Sequence, residues 1–112
     1  MRRRLAIALA SLGLASIGAP SASNGAGADG ARIERAICAT FGAYCLQALR
    51  VAWCESRFDV WARNGQYLGL FQMGARERAL YGDGLGPWNQ SRAALRYFRA
   101  AGYSWRPWTC QP

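Results

Sequence analysis

The sequence predicts a small, mainly α-helical domain closed by disulfide bridges. Three observations carry this expectation. Apolar residues recur at helical spacing through most of the chain after residue 31, and no stretch alternates apolar and polar residues as a half-buried strand does. Four cysteines stand in a chain of only 112 residues. A length of this order holds one ordinary domain.

Residues 1–23 read as a secretory signal peptide. Met1-Arg2-Arg3-Arg4 is a cationic cap, Leu5 to Ile17 is a short apolar run, and small residues lead to a cleavage site that best fits Ser21-Ala22-Ser23. The alternative is an uncleaved anchor, but the apolar run is shorter than the ~20 residues of a membrane-spanning helix. Residues 24–30, rich in Gly and Ala, are expected to form a flexible lead-in. The folded domain is then residues 31–112, exported to the cell envelope or beyond.

Within it, Ile33, Ala36, Ile37 and Phe41 fall on one helical stripe that stops at Gly42. A second helix is predicted from Tyr44 to about Phe58, with Cys45, Leu49 and Ala52 on one stripe. Asn64-Gly65 marks a turn. Leu68 to Gly74, apolar and bracketed by glycines, should be a short buried loop or strand. A short helix fits Ala75 to Tyr81, Gly82 to Pro87 is loop, and a last helix suits Gln90 to Ala101 with Ala94, Leu95 and Phe98 inward. The tail holds Trp105, Trp108 and Cys110.

So small a core needs a covalent staple, and in an exported chain an even number of cysteines reads as disulfides. Cys38, Cys45, Cys54 and Cys110 allow three pairings. Cys45 and Cys54, on one helix, are separated by roughly 13 Å along its axis, beyond the ~7 Å that a disulfide spans between Cα atoms. Of the remaining two pairings, Cys38–Cys45 with Cys54–Cys110 is preferred, because a break at Gly42 lets the first pair close. The second bridge closes a long loop, worth ~4 kcal/mol in the chain-entropy picture.

The formal charge is +8, from 14 Arg against 6 acidic residues; without Arg2, Arg3 and Arg4 it is +5. An exported protein seldom meets nucleic acid, so the expected partner is an anionic cell envelope, with plain solubility as the competing explanation. There is no histidine. That removes Ser-His-Asp and Cys-His nucleophile systems and His-ligated zinc. No metal and no cofactor is expected, and the chain is read as a monomer.

Glu55 is the residue to explain. It lies three residues after Ala52 and six after Leu49, so it continues the inward stripe of the second helix. A carboxyl group held among apolar groups loses hydration, which favours its protonated form, and such a group can deliver a proton to a glycosidic oxygen. The alternative is a surface Glu paired with Arg57 or Arg50.

The surroundings bear on that choice. Ala48-Leu49-Arg50-Val51-Ala52-Trp53-Cys54-Glu55-Ser56 is followed by Phe58-Asp59, then by Gly69-Leu70-Phe71-Gln72, then by Ala93-Ala94-Leu95-Arg96-Tyr97-Phe98. In this order and spacing the segments resemble the lysozyme-like superfamily, in particular the catalytic domain of soluble lytic transglycosylases and the related resuscitation-promoting factors. The resemblance runs from Ile33 to Cys110. It implies a lysozyme-like helical fold in which Glu55 is the catalytic acid and then base. Ser56 would orient Glu55 or support the helix end. Gln72 would bind the sugar at the cleavage point, with Gly69 and Met73 lining the same groove and Tyr97 hydrogen-bonding near the acid. The bland alternatives are a polar helix end for Ser56, a satisfied loop amide for Gln72 and core packing for Tyr97. The chain departs from the longer members in its small size, its four cysteines, and Val60 where a Pro often stands.

The implied substrate is the glycan strand of peptidoglycan. A two-carboxylate hydrolase would need a partner for Glu55. Asp59 reads as a turn-forming residue beyond the helix end, Glu77 as part of an exposed charged cluster with Arg76 and Arg78, and Asp83 as lying in a glycine-rich loop. A single acid favours the substrate-assisted route of a lytic transglycosylase, with lysozyme-type hydrolysis and a non-catalytic wall-binding module as alternatives. A membrane-active cationic peptide ranks below these, since it leaves the Gly-Leu-Phe-Gln segment without a role. Asn64-Gly65-Gln66-Tyr67 would shape a subsite wall. Among five tryptophans, Trp61 and Trp88, flanked by turns, are the candidates for exposed sugar-stacking surfaces.

Overall fold

The computed structural model describes residues 18–112. The cap and apolar run of the predicted leader lie outside the described residues. Contacts divide the chain into two units, one reaching to Ala31 and one from Arg32 to Pro112.

Helix α1 spans Gly18–Phe41. Residues 24–30, expected as a flexible lead-in, are therefore helical. Alanines at 22, 26, 28 and 31 are strong helix formers that offset the weak glycines between them. From Arg32 onward, Ile33, Ala36, Ile37 and Phe41 are buried, as their spacing predicts.

Gly42 takes φ +56 and ends α1. A single 3-10 turn, Gly42–Tyr44, leads into α2, Cys45–Ser56. Cys38 and Cys45 are bridged across this turn, and Cys54 is bridged to Cys110, the preferred pairing. The helical stretch Asp29–Ser56 is long and apolar enough to cross a membrane by composition. The stretch breaks at Gly42, and Ala36, Ile37, Phe41, Ala48, Val51 and Ala52 within it are buried in the core.

Helix α2 stops two residues earlier than predicted. Arg57 and Phe58 both adopt left-handed φ, 54° and 62°, a conformation worth about 1–3 kcal/mol of strain for each non-glycine residue. The turn is held locally. The Arg57 N–H reaches the Trp53 carbonyl at 2.9 Å, the Asp59 N–H reaches that of Ser56 at 3.0 Å, and Asp59 Oδ1 accepts the Trp61 N–H at 2.9 Å. Asp59 is thus the turn former that the sequence predicts.

A short hairpin follows: β1, Arg63–Asn64, pairs antiparallel with β2, Tyr67–Leu68, across the turn at Gly65-Gln66. Leu68 then pairs with Met73, so the apolar Gly-Leu-Phe-Gln segment is a tight buried turn between two paired residues. Gly69 has φ +86, and a Cβ there would lie 2.6 Å from Gln90 Oε1. That oxygen instead accepts the Leu70 N–H at 2.8 Å. Helix α3 spans Ala75–Tyr81 and α4 spans Pro87–Ala100. The latter starts three residues earlier than predicted, because Pro87 supplies the fixed φ that suits a first helical position.

The core joins α1 from Ile33 onward, α2, the tight turn, α3 through Tyr81, α4 and the tail. Phe98 of α4 meets Trp105 at 4.5 Å, Tyr44 at 5.0 Å and Phe41 at 5.9 Å between ring centroids, and Phe71 is 5.6 Å from Phe41. The tail after Gly102 packs Trp105 and Trp108 into this cluster. Trp108 Nε1 donates to the Phe71 carbonyl at 2.9 Å and Trp105 Nε1 to Gln47 at 2.8 Å. Buried indole N–H groups are thereby satisfied, and the tail is fastened to the tight turn and to α2.

Candidate active site

Glu55 stands in the last turn of α2, half-buried. Its Oε2 accepts the backbone N–H of Cys110 at 3.0 Å. It forms no ion pair among the described residues. Arg57 bends back to the Trp53 carbonyl at 3.1 Å with its guanidinium 5.2 Å from the Trp53 ring, and Arg50 is exposed. The bridge Cys54–Cys110 joins the residue before Glu55 to the residue whose N–H holds it. A covalent link and a backbone hydrogen bond therefore fix one carboxyl oxygen.

Glu55 lines a cleft of about 370 Å³. The hairpin contributes Asn64 and Tyr67, the tight turn Gln72 and Met73, and the start of α3 Gly74 and Glu77. Helix α4 contributes Tyr97 and the tail Pro107, Trp108 and Thr109. A Cβ on Gly74 would lie 2.7 Å from Glu77 Oε1, so the glycine lets that carboxylate approach the backbone.

Four of the predicted site residues, Glu55, Gln72, Met73 and Tyr97, meet in this cleft. Gln72 is buried with φ +48. Its Nε2 donates to the carbonyls of Ala62 at 3.1 Å and Gly69 at 3.0 Å, while Oε1 accepts from Asn64 Nδ2 at 2.9 Å. Both amide hydrogens thus brace the turn, and the remaining acceptor capacity of Oε1 is what Gln72 offers a ligand. The Met73 carbonyl is occupied by Arg78 Nη1 at 2.6 Å and by the Leu68 N–H at 3.1 Å.

Tyr97 stacks on Tyr81 at 5.2 Å and meets Trp108 at 4.9 Å. Burial, and after it the charge of Glu77, push its phenol above the ordinary 10.0, so it presents a neutral hydroxyl across the physiological range. Two predicted residues do not line the cleft. Ser56 is buried and turns its hydroxyl to the Ala52 carbonyl at 3.0 Å. It supports the helix end and does not touch Glu55. Gly69 serves through its backbone, as the acceptor for Gln72.

Glu77 was expected in an exposed charged cluster; it is half-buried and lines the cleft. The available signal was its place in the first turn of a helix that begins directly after the Gly-Leu-Phe-Gln segment. Asp83 instead pairs with Arg78 at 2.9 Å. Pro107, Trp108 and Thr109 were also missed, because only the fold carries the tail to Glu55. Trp61 and Trp88 are exposed, at 66% and 44%, and line no part of this cleft.

No protein-family model, curated protein or solved structure matches the chain.

Proposed function

We propose that the protein is a peptidoglycan-cleaving glycosidase of the cell envelope, a lytic transglycosylase acting as a monomer on the MurNAc–GlcNAc β-1,4 bond. The observation that carries this reading is Glu55 itself. It is a half-buried carboxyl group with one oxygen tied to the Cys110 N–H, set in an open cleft of aromatic rings and amides. Two disulfides with no free cysteine suit an oxidising compartment outside the cytoplasm. The excess of Arg suits an anionic wall and gives no reason to invoke nucleic acid.

In this mechanism protonated Glu55 donates to the leaving glycosidic oxygen as the bond to C1 breaks. The neighbouring N-acetyl group steadies the cation-like centre. Deprotonated Glu55 then accepts the proton of the sugar's own 6-hydroxyl as that oxygen bonds to C1, leaving a 1,6-anhydro end. Tyr97 donates its neutral hydroxyl within the cleft, and Trp108 and Tyr67 offer faces to sugar rings. Lysozyme-type hydrolysis is the second reading, favoured by Glu77, a second carboxylate in the same cleft.

The test is release of soluble fragments from purified peptidoglycan by wild type and Glu55→Gln. The variant should still bind the wall and should lose at least ~100-fold of its release rate, as expected for removal of a general acid. Equal release by both proteins, or wall binding by both without release, would remove the enzyme from this cleft.

A further inference from the structure

We propose that Glu77 selects the nucleophile in this cleft, accepting the proton of an attacking water and so diverting part of the reaction from the anhydro end to a hydrated one. The inference rests on the glycosidase reading and assigns a second catalytic residue to the same site.

Glu77 is half-buried in the cleft that holds Glu55. Neither flanking arginine forms an ion pair with it among the described residues, although the charge of Arg76 partly offsets that of Glu77 at Tyr97. Arg78 spends its guanidinium on Asp83, on the Gln66 carbonyl and on the Met73 carbonyl, and the ion pair of that residue is with Asp83. Arg76 is exposed and does not line the cleft. Among the described residues no basic side chain lines the cleft. Glu77 also comes from a different element than Glu55, the first turn of α3 as against the last turn of α2. Tyr97 feels its negative charge, so the carboxylate acts on the cleft interior. A second carboxylate lining the same cleft as the proposed acid is the further component that glycoside hydrolysis by water requires.

The balance is as follows. Glu55 gives its proton to the leaving oxygen and the C1–O bond breaks. A water oxygen bonds to C1 and its proton passes to Glu77. One water is consumed, and a proton returns from Glu77 to Glu55 through solvent. When the 6-hydroxyl attacks instead, its proton goes to Glu55 and no water is consumed. Glu77 is used only in the first route.

The experiment digests purified peptidoglycan in ¹⁸O-water with wild type, Glu77→Gln, Glu77→Asp and Glu55→Gln, and quantifies both ends by mass spectrometry. Wild type should yield labelled hydrated ends beside anhydro ends. Glu77→Gln should lower the hydrated-to-anhydro ratio at least roughly tenfold while anhydro ends persist, and Glu77→Asp should restore part of the ratio. Glu77 accepts no side-chain hydrogen bond among the described residues, so Glu77→Gln should keep a melting temperature close to wild type, which separates chemistry from folding. An unchanged ratio in Glu77→Gln, or no labelled ends from wild type, overturns the role of Glu77. Undiminished cleavage by Glu55→Gln overturns the underlying reading instead.

Discussion

At the scale of single residues, Tyr97 makes the cleft sensitive to alkaline pH. Burial disfavours its phenolate, Glu77 adds to that effect and Arg76 opposes it. The folded state therefore holds this proton more tightly than the unfolded state does. The resulting stability is fully present below pH 10.0, the ordinary value, and is lost as pH rises through the raised folded value. Melting curves recorded at increasing pH should fall for wild type above about pH 10 and should fall less steeply for Tyr97→Phe; parallel curves would show that Tyr97 is not the group responsible. The carboxylates differ in how well the sequence announces them. Glu55 continues an apolar helical stripe, but that spacing alone leaves an inward Glu and a surface Glu paired with Arg57 or Arg50 both open, and the segments around it carry the choice. Glu77 sits between two arginines, and local charge suggests solvent. It faces the cleft because Arg78 is drawn away to Gln66, Met73 and Asp83, contacts that only the folded chain creates.

At the scale of elements, the two disulfides should contribute unequally. The Cys38–Cys45 bridge closes a separation of 7 residues and the Cys54–Cys110 bridge one of 56. The chain-entropy relation converts these to about 2 and about 4 kcal/mol. Urea denaturation should therefore show a loss about twice as large for Cys54→Ser with Cys110→Ser as for Cys38→Ser with Cys45→Ser. The longer bridge should also carry activity with it, because Cys110 holds Glu55; a variant that folds and cuts normally without it would contradict the arrangement. The helices themselves were largely legible. Ile33, Ile37 and Phe41, and later Ala94 and Phe98, keep helical spacing and are buried. The hairpin was legible only as the Asn64-Gly65 turn, since strands of two residues are too short to show alternation. The early end of α2 was illegible for another reason. Left-handed Arg57 and Phe58 are set by Ser56 and Asp59 bonding to the backbone, with no glycine to mark the place.

For the molecule as a whole, the proposed function makes charge the long-range link to its substrate. On the proposed reading, the formal +5 that remains without Arg2, Arg3 and Arg4 would attract the chain to an anionic wall over roughly the Debye length, which shrinks from ~8 Å at 0.15 M salt to ~3 Å at 1 M. Depletion of the protein by purified wall should fall several-fold over that range, while the ratio of product ends, set inside the cleft, stays constant. Salt-independent adsorption would mean that the cleft and apolar contacts alone hold the wall. The mainly helical, twice-bridged architecture follows from composition and periodicity. The site does not, because it joins Glu55 to a tail segment that no local pattern connects to it.

That junction sets a timetable. On the proposed reading, a chain exported from its N-terminus exposes Glu55 more than fifty positions before the stretch that grips it. Cutting ability should therefore be absent while synthesis and export are under way, and should arise in one step when the late thiol arrives and is oxidised against its partner.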